Sequence, residues 1–488
     1  MTRFFSIILL LFSLNLQSYA TYDVNENCLN AWMLLMDLEI DKAKELLAEE
    51  IKINPENYYA YYLDQTCDAY TLLINSNDKG YEDFIDNYYD KREIMDDKDV
   101  DSPYYLSCYS EMELQVCIFN IIYGSIFSGM RKGFSAYKNV YKNLDHFPDF
   151  KPSLKMDGFF NSAISNLPPF VKWAASFFGV SGDLDYGFSL LRENYQSQKN
   201  IKGINAEAAL FIILTAKINK TPEIVYDFSK SLDTNISQTF IHSYFRANIA
   251  YRIGKNEEAL TTMESMNISS TPFADIIYNY MYGKILLRKL DPSAGYYLSR
   301  YLSNLEKKEY LKEMNYNLAL YYLISGDTLQ YLDQCELVRE IGMDINERDR
   351  EALYDANLDY FPDVNLVKSR LLLDGGYISD YSKEISKFNY NESHILGHQL
   401  EYLFLQARYN SMINNNELAI EQFEEVINLG QDTDYYFACE SALRLGNIYE
   451  ETGELAIAKK YYDKSVKLYK KEYYEYIEDK AVKASKNI

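Results

Sequence analysis

The stretch that decides the fold lies near the C-terminus, where residues 442–466 read ALRLGNIYEETGELAIAKKYYDKSV. Small residues at Gly446 and Ala458 allow two helices to approach closely, and Gly453 provides the turn between them. Three larger side chains fill the seam between the helices, namely Leu445, Tyr449 and Tyr462. The stretch therefore predicts a helical hairpin.

The spacing of these six positions is that of a tetratricopeptide repeat, and it recurs upstream in weaker form. The copies are Ala407, Ala419 and Phe423; Ala247, Gly254, Ala259 and Met263; Gly283; Ala319; and Ala31, Ala43, Leu47 and Pro55. Such degenerate copies at periods close to 34 predict an all-α protein, an α-solenoid of tetratricopeptide-like helical hairpins. Residues 60–150 and 340–390 fit the spacing poorly, so we expect irregular helix pairs there.

The composition supports helix and limits the partners. Only 20 of 488 residues are Gly and 10 are Pro, about half the average usage, which excludes turn-dense all-β folds. The net charge is −23, which opposes non-specific attraction to nucleic acid and to anionic lipid. We therefore expect a protein or peptide partner and no nucleic acid.

The N-terminus has the pattern of a signal peptide. Arg3 precedes the apolar run Phe4–Leu16, and Ser18 and Ala20 are the small residues of a cleavage site. We expect export after cleavage near Thr21, to the periplasm, the cell envelope or the medium; a retained N-terminal anchor is the alternative. No later run of about 18 apolar residues predicts a transmembrane segment.

Residues 157–191 have a character of their own and read DGFFNSAISNLPPFVKWAASFFGVSGDLDYGFSLL. The positions of this segment that match a known family pattern are Gly158, Phe160, Asn161, Ser165, Leu167, Pro168, Pro169, Lys172, Phe178, Gly179, Gly182, Asp183, Gly187 and Leu191. With the repeats downstream, they resemble the tetratricopeptide-repeat-domain-39 and inclusion-body-clearance family. The resemblance implies helical repeats and a protein-interaction adaptor without catalysis. Val180 departs from the family pattern, as does the export signal, since the eukaryotic members are intracellular.

The residues of this segment also predict helix ends directly. Pro168 and Pro169 end one helix and allow the next to begin, and Gly179 suits its C-terminal cap. Ser181 or Asp183 can cap the helix that follows. A phosphate cradle at 179–182 is the alternative, but no Gly-Lys-Ser/Thr sequence follows it.

Catalytic and metal-binding signals are weak. His394 and His398 are four residues apart but belong to no HExxH motif, so we interpret them as surface helix residues. The six cysteines show no CxxC spacing, and buried free thiols are favoured. We therefore expect no enzyme activity, no cofactor and no metal.

The hypothesis for a binding site follows from the repeats. The first helix of each hairpin lines a groove in arrays of this kind, and polar residues follow several of the small positions. The candidate ligand- or partner-binding residues are Tyr244, Asn248, Tyr251, Tyr280, Lys284, Tyr316, Phe404, Arg408 and Asn447. Amide and cationic donors beside aromatic rings suit an extended peptide. A merely solvated face is one alternative, and a glycan- or small-ligand-binding protein of the cell envelope is the other.

These signals divide the chain into six segments. They are a signal peptide at 1–20, N-terminal hairpins with one repeat at 21–150, the family-type segment at 151–195, repeats at 196–340, irregular helical pairs at 341–395, and C-terminal repeats with a capping helix at 396–488.

Overall fold

The structure is a computed structural model that describes residues 21–488 apart from 75–76, 166–179, 219–221, 233, 267, 269–270, 304–309, 343–345 and 471–473. The predicted signal peptide and the segment containing Pro168 and Pro169 lie outside the described residues. Across the described ranges the regular structure is helical throughout, which confirms the predicted all-α class. None of these helices is long and apolar enough to cross a membrane.

The chain divides into two compact units, and the first comprises residues 1–245 and 269–273. Its helices are α1 (Glu26–Met36), α2 (Ile40–Ile53), α3 (Tyr58–Ile74), α4 (Asp78–Met95), α5 (Pro103–Ile122), α6 (Ile126–His146), α7 (Ser153–Ser165), α8 (Leu184–Ser197), α9 (Lys202–Ile218), α10 (Pro222–Lys230) and α11 (Thr234–Ser237). Consecutive helices pack as hairpins, with α5 against α6 the most extensive pair. Asp183 caps α8 by accepting from the backbone N–H of Tyr186 at 2.7 Å, as its sequence position predicted.

The second unit comprises residues 246–268 and 274–488. Its helices are α12 (Phe240–Arg252), which begins in the first unit, α13 (Asn256–Glu264), α14 (Pro272–Arg288), α15 (Ala294–Ser303), α16 (Leu311–Ser325), α17 (Thr328–Glu340), α18 (Glu347–Ala356), α19 (Val364–Asp374), α20 (Ile378–Ile385), α21 (Leu396–Met412), α22 (Asn416–Gly430), α23 (Phe437–Glu451), α24 (Leu455–Leu468) and α25 (Glu475–Asn487). Hairpins form again between neighbours such as α16 and α17, α19 and α20, and α21 and α22.

The hairpin α23–α24 has the predicted seam. A Cβ added to Gly446 would lie 3.0 Å from Cγ of Tyr462 and closer still to two further ring carbons. Tyr462 and Ala458 are both fully buried, and Gly453 has φ +83° in the turn. Glycine at 446 is thus required by a close approach, and glycine at 453 by a left-handed backbone.

The poorly fitting range 340–390 contains an unpaired helix. Helix α18 stands between two hairpins and packs on both α16 and α17. The C-terminal helix α25 meets it: Arg350 forms an ion pair with Glu475, and the Tyr474 hydroxyl donates to Asp355 at 2.6 Å. Ile477 of α25 is fully buried. The tail is therefore packed against the fold as a cap.

A second distant contact joins the turns after α12 and after α19. Gly254 and Gly376 both have positive φ, and a Cβ on Gly376 would meet the Gly254 carbonyl oxygen. Asn256 donates to the Tyr377 hydroxyl at 2.8 Å across 121 residues of sequence. The second unit is therefore held together by more than its neighbouring hairpins.

Candidate functional site

The nine predicted groove residues lie on the first helices of hairpins. Tyr244, on the part of α12 that belongs to the first unit, stands apart, and the other eight belong to the second unit. Those eight are Asn248 and Tyr251 on α12, Tyr280 and Lys284 on α14, Tyr316 on α16, Phe404 and Arg408 on α21, and Asn447 on α23.

Lys284 is the centre of a first cluster. Its side chain is buried, forms an ion pair with Glu313, and lies with Nζ 4.7 Å from the Tyr280 ring centroid and 5.4 Å from that of Tyr251. The Tyr280 hydroxyl donates to Glu313 at 2.8 Å. Burial raises the pKa of Glu313, but Lys284, Arg348 and the Tyr280 hydroxyl together outweigh it, so the net pKa lies below its usual range. The cluster is thus compensated internally, and Lys284 is less accessible than predicted.

Phe404 and Arg408 belong to a second cluster on α21 and α23. The guanidinium carbons of Arg408 and Arg444 lie 5.8 and 5.5 Å from the Phe404 ring centroid, and the ring itself is buried. Arg408 donates to Asp374 at 2.6 Å, and Arg444 Nε donates to Glu440 at 2.9 Å. The side chains of Arg408 and Arg444 keep 15% and 35% of their surface exposed. The two partly exposed cations therefore lie over the ring of the buried Phe404.

Asp374 joins these two clusters. Burial raises the pKa of Asp374, but the guanidinium groups of Arg408 and Arg288 together lower it by more than burial raises it. The net pKa therefore lies below the usual range. The Arg288 guanidinium carbon lies 3.4 Å from the Tyr251 ring centroid. We call the connected set the cation–aromatic strip: Tyr251, Tyr280, Lys284, Arg288, Asp374, Phe404, Arg408 and Arg444.

Tyr316 lies beside a small cavity instead of on the strip. It is buried, and it lines the cavity with Asp355, Arg370 and Glu401. The cavity has a volume of about 10 Å³, which is room for one water molecule at most. Burial and its neighbours raise the pKa of Tyr316 well above the usual value, so its phenol is neutral. Tyr316 is thus a packing residue of the second unit.

The structure does not bring the remaining predicted residues to the strip. The Asn248 amide lies 3.6 Å from the sulfur of Met281. Asn447 is exposed and accepts from the Tyr462 hydroxyl at 3.0 Å, which ties it to its own hairpin. Tyr244 is half-buried.

Sequence reasoning missed three members of the strip. The predicted residues stand three before, one after or four after a small position of the repeat, and Arg288, Asp374 and Arg444 stand at none of these offsets. A signal for Arg444 was present, because Arg408 precedes it by 36 residues and Arg370 precedes Arg408 by 38. A search for cations at the repeat period would have found it.

The first unit contains a buried charge cluster around Lys155. Its ammonium pairs with Glu207 and, at 2.9 Å, with Glu111, whose carboxylate also accepts from the Tyr62 hydroxyl at 2.5 Å. The adjoining cavity has a volume of about 20 Å³, which is room for one water molecule. Burial raises the pKa of Glu207 to about 7, Lys155 opposes this and Glu111 adds to it. The cluster ties together α3, α5, α7 and α9.

The histidines are placed differently from the expectation. His394 precedes α21, and His398 is buried with Nε2 2.8 Å from the Phe361 carbonyl oxygen, so the interpretation as surface helix residues is wrong. His242 is also buried, between Thr239 Oγ1 at 2.8 Å and the Ala206 carbonyl oxygen at 3.0 Å. Burial lowers its pKa to about 4. Within the described part of the chain, no group of His, Cys, Asp and Glu could hold a metal ion, and all six cysteines are free thiols.

Comparison with known proteins gives one distant likeness to a solved structure. No family model and no curated protein matches the chain. Among solved structures, the chain is similar to the crystal structure of the APC/C hetero-tetramer Cut9–Hcn1, at 12% identity over 92% of this chain and 88% of that one, with a TM-score of 0.23. An overlap this loose carries no argument about partners. The resemblance to the tetratricopeptide-repeat-domain-39 family stays a prediction.

Proposed function

We propose that the chain is a non-catalytic helical-repeat scaffold that binds a protein or peptide segment along the second unit. The observation that carries the proposal is the cation–aromatic strip, in which cations from three first helices lie on aromatic rings. Helical hairpins offer long side-by-side surfaces for this purpose. The proposal includes export, for which the pattern of residues 1–20 is the support, and excludes nucleic acid as a partner on grounds of charge.

The strip suits an extended segment for two reasons. Arginine stacked on an aromatic ring keeps the edges of its guanidinium available, and those edges donate to carboxylates or backbone carbonyls. Arg408 and Arg444 keep 15% and 35% of their side-chain surface exposed, and Nη2 of each already donates within the fold, to Asp374 and Glu440. The rings beneath are held by packing, so little entropy is lost when a ligand is bound.

The clusters support binding in preference to catalysis. The charges around Lys284 and Lys155 are paired with carboxylates in the fold itself, and each pairing has an evident structural role. The two cavities described above hold about one water each. A surface that recognises a segment of another protein is the function that these features favour.

The test is a quantitative capture of proteins from extracts of the source organism, compared between variants. Arg408→Gln/Arg444→Gln removes both cations over Phe404 while keeping amide donors for their acidic partners. Arg300→Gln is the matched control, because Arg300 is 44% exposed and paired with Asp275, but lies on α15, the second helix of its hairpin. Lys284→Ala is unsuitable, since it would leave Glu313 buried without its cation.

We expect the double variant to lose at least tenfold of its main partner relative to the wild type, with unchanged circular dichroism at the temperature of the assay. Its melting temperature should fall by a few degrees, because Asp374 and Glu440 lose their cations. The control should keep that partner. Equal capture by all three proteins would refute the strip as the binding surface. Strip-dependent binding to a glycan array without protein capture would replace the proposal by the glycan-binding alternative. Export is tested separately, by sequencing the N-terminus of the protein recovered outside the cytoplasm.

A further inference from the structure

The tip of the α5–α6 hairpin, in the first unit, carries an exposed apolar cluster. Phe127 keeps 90% of its surface exposed, the highest value among the large apolar side chains that the structure describes. Its exposed neighbours in sequence are Ile118, Ile121, Ile122, Ile126 and Met130. Gly124, with φ +81°, makes the turn between the two helices. We call these six apolar residues the hairpin tip.

The charge around the tip is unlike that of the rest of the chain. Residues 114–144 contain no Asp or Glu, although the whole chain has 72 such residues in 488. The same stretch has four cations, of which Arg131, Lys138 and Lys142 are exposed. They follow Phe127 at intervals of 4, 7 and 4 residues and therefore share one stripe of α6. An apolar end is thus followed along one helix face by three cations, and the first carboxylate on that face is Asp145, near the end of α6.

We infer that the hairpin tip inserts into the surface of a membrane containing anionic lipid. An apolar end needs a hydrocarbon environment, and the cations behind it need negative charge at a defined height above that environment. With 1.5 Å of rise per residue, Arg131 lies about 6 Å behind Phe127 along the axis, Lys138 about 17 Å and Lys142 about 23 Å. Insertion of the tip by about 5–10 Å then brings Arg131 to the headgroups and leaves Lys138 about 10 Å above them, near the limit of salt screening.

A bilayer fits the tip better than a protein partner does. The exposed side chains lie on both helices and on the turn between them, so the tip is an end and offers no groove to a helix or a strand. The acidic helix α4 lies beside it: Tyr81 stacks on Tyr123 with ring centroids 4.3 Å apart, and Asp78 and Glu82 flank Tyr81. Those carboxylates favour an orientation in which α6 faces the lipid and α4 faces water.

The experiment measures binding of the full chain to vesicles by flotation. Vesicles of neutral phosphatidylcholine alone are compared with vesicles that also contain 30% phosphatidylglycerol, on the order of what bilayers with a clear negative surface potential contain. The apolar variant is Ile126→Ser/Phe127→Ser/Met130→Ser, and the charge variant is Arg131→Gln/Lys138→Gln/Lys142→Gln. The matched control is Leu329→Ser/Leu332→Ser, because those residues are 75% and 47% exposed on α17. All proteins carry the same N-terminus, which mass spectrometry verifies.

We expect the wild type and the control to bind anionic vesicles and to be released by salt. Each cation near the surface adds about fivefold to partitioning, and Lys142 lies beyond the screening length, so the charge variant should bind about five- to twenty-five-fold less. The apolar variant should lose at least tenfold and should keep its melting temperature, since it changes exposed side chains only.

Three results would overturn the inference. They are no binding by the wild type, equal binding by wild type and both variants, and equal binding to neutral and anionic vesicles. A tip-dependent dimer seen by light scattering, with no vesicle binding, would likewise overturn it and assign the tip to a second copy of the chain.

Discussion

Replacing Gly446 by alanine should destabilise the last hairpin, although alanine is the better helix former. The new Cβ would lie 3.0 Å or less from three carbons of the Tyr462 ring, whereas ordinary contacts begin near 3.4 Å. The ring cannot move away easily, because Tyr462 is fully buried and its hydroxyl is bound by Asn447 and Glu450. Overpacking of this kind costs about 1–3 kcal/mol, and the gain in helix propensity returns about 1 kcal/mol. We expect a net loss of up to about 2 kcal/mol.

Chemical denaturation measures the loss in the free energy of unfolding, and hydrogen exchange shows which helices are destabilised. These should be α23–α25, because the effect of a substitution in a repeat array stays close to the substituted repeat. Gly430→Ala is the matched control: its Cβ would have its nearest neighbours at 3.2–3.4 Å, so it should change stability by less than about 0.5 kcal/mol. Tyr462→Leu should be less harmful in the Gly446→Ala background than alone. An increase in stability for Gly446→Ala, or additive effects in that cycle, would refute the close approach of the two helices.

Three further predictions concern buried charge. Burial lowers the pKa of His242 to about 4, so the folded chain takes up no proton there between pH 6.5 and 4, while the unfolded chain does. This site therefore costs up to about 3 kcal/mol of stability as the pH falls. His242→Gln should remove that loss, which is measured by comparing its unfolding free energy with that of the wild type across this pH range. Lys155→Met leaves Glu111 and Glu207 buried without their cation and should lower the free energy of unfolding by about 3–5 kcal/mol, measured in denaturant at pH 8. Adding Glu111→Gln/Glu207→Gln to the same chain should restore most of the lost stability. Asp374→Asn removes the carboxylate between two arginines and should lower the thermal midpoint by several degrees, with the difference shrinking in 1 M salt; a difference that salt leaves unchanged would contradict a charge effect.

The local features were predictable because they depend on neighbours in sequence. Gly446, Gly453 and Ala458 predicted a seam and a turn, and the structure has both. The pairing of Lys284 with Glu313 was not predictable from the same pattern, since the two residues are on different hairpins and their contact depends on how those hairpins stack. The position after a small residue was therefore a poor guide to exposure.

The irregular region shows the same limit. Helix α18 has no partner helix at the repeat spacing, and its partners come from α16, α17 and the distant α25. His398 is buried because its ring reaches the Phe361 carbonyl, which lies in the loop after α18. A periodic pattern contains no information on a loop that breaks the period, so these contacts required the structure.

The contact between the turns at Gly254 and Gly376 bears on how the chain folds during synthesis. Helical arrays of this type gain most of their contacts from adjacent hairpins, so each hairpin can fold soon after it leaves the ribosome. The amide of Asn256, however, waits for the hydroxyl of Tyr377, 121 residues later. At 5–20 residues per second the delay is about 6–24 s. During that interval the hairpin α12–α13 is finished but lacks its distant neighbour, so the polar groups of its turn are left to water or to a chaperone.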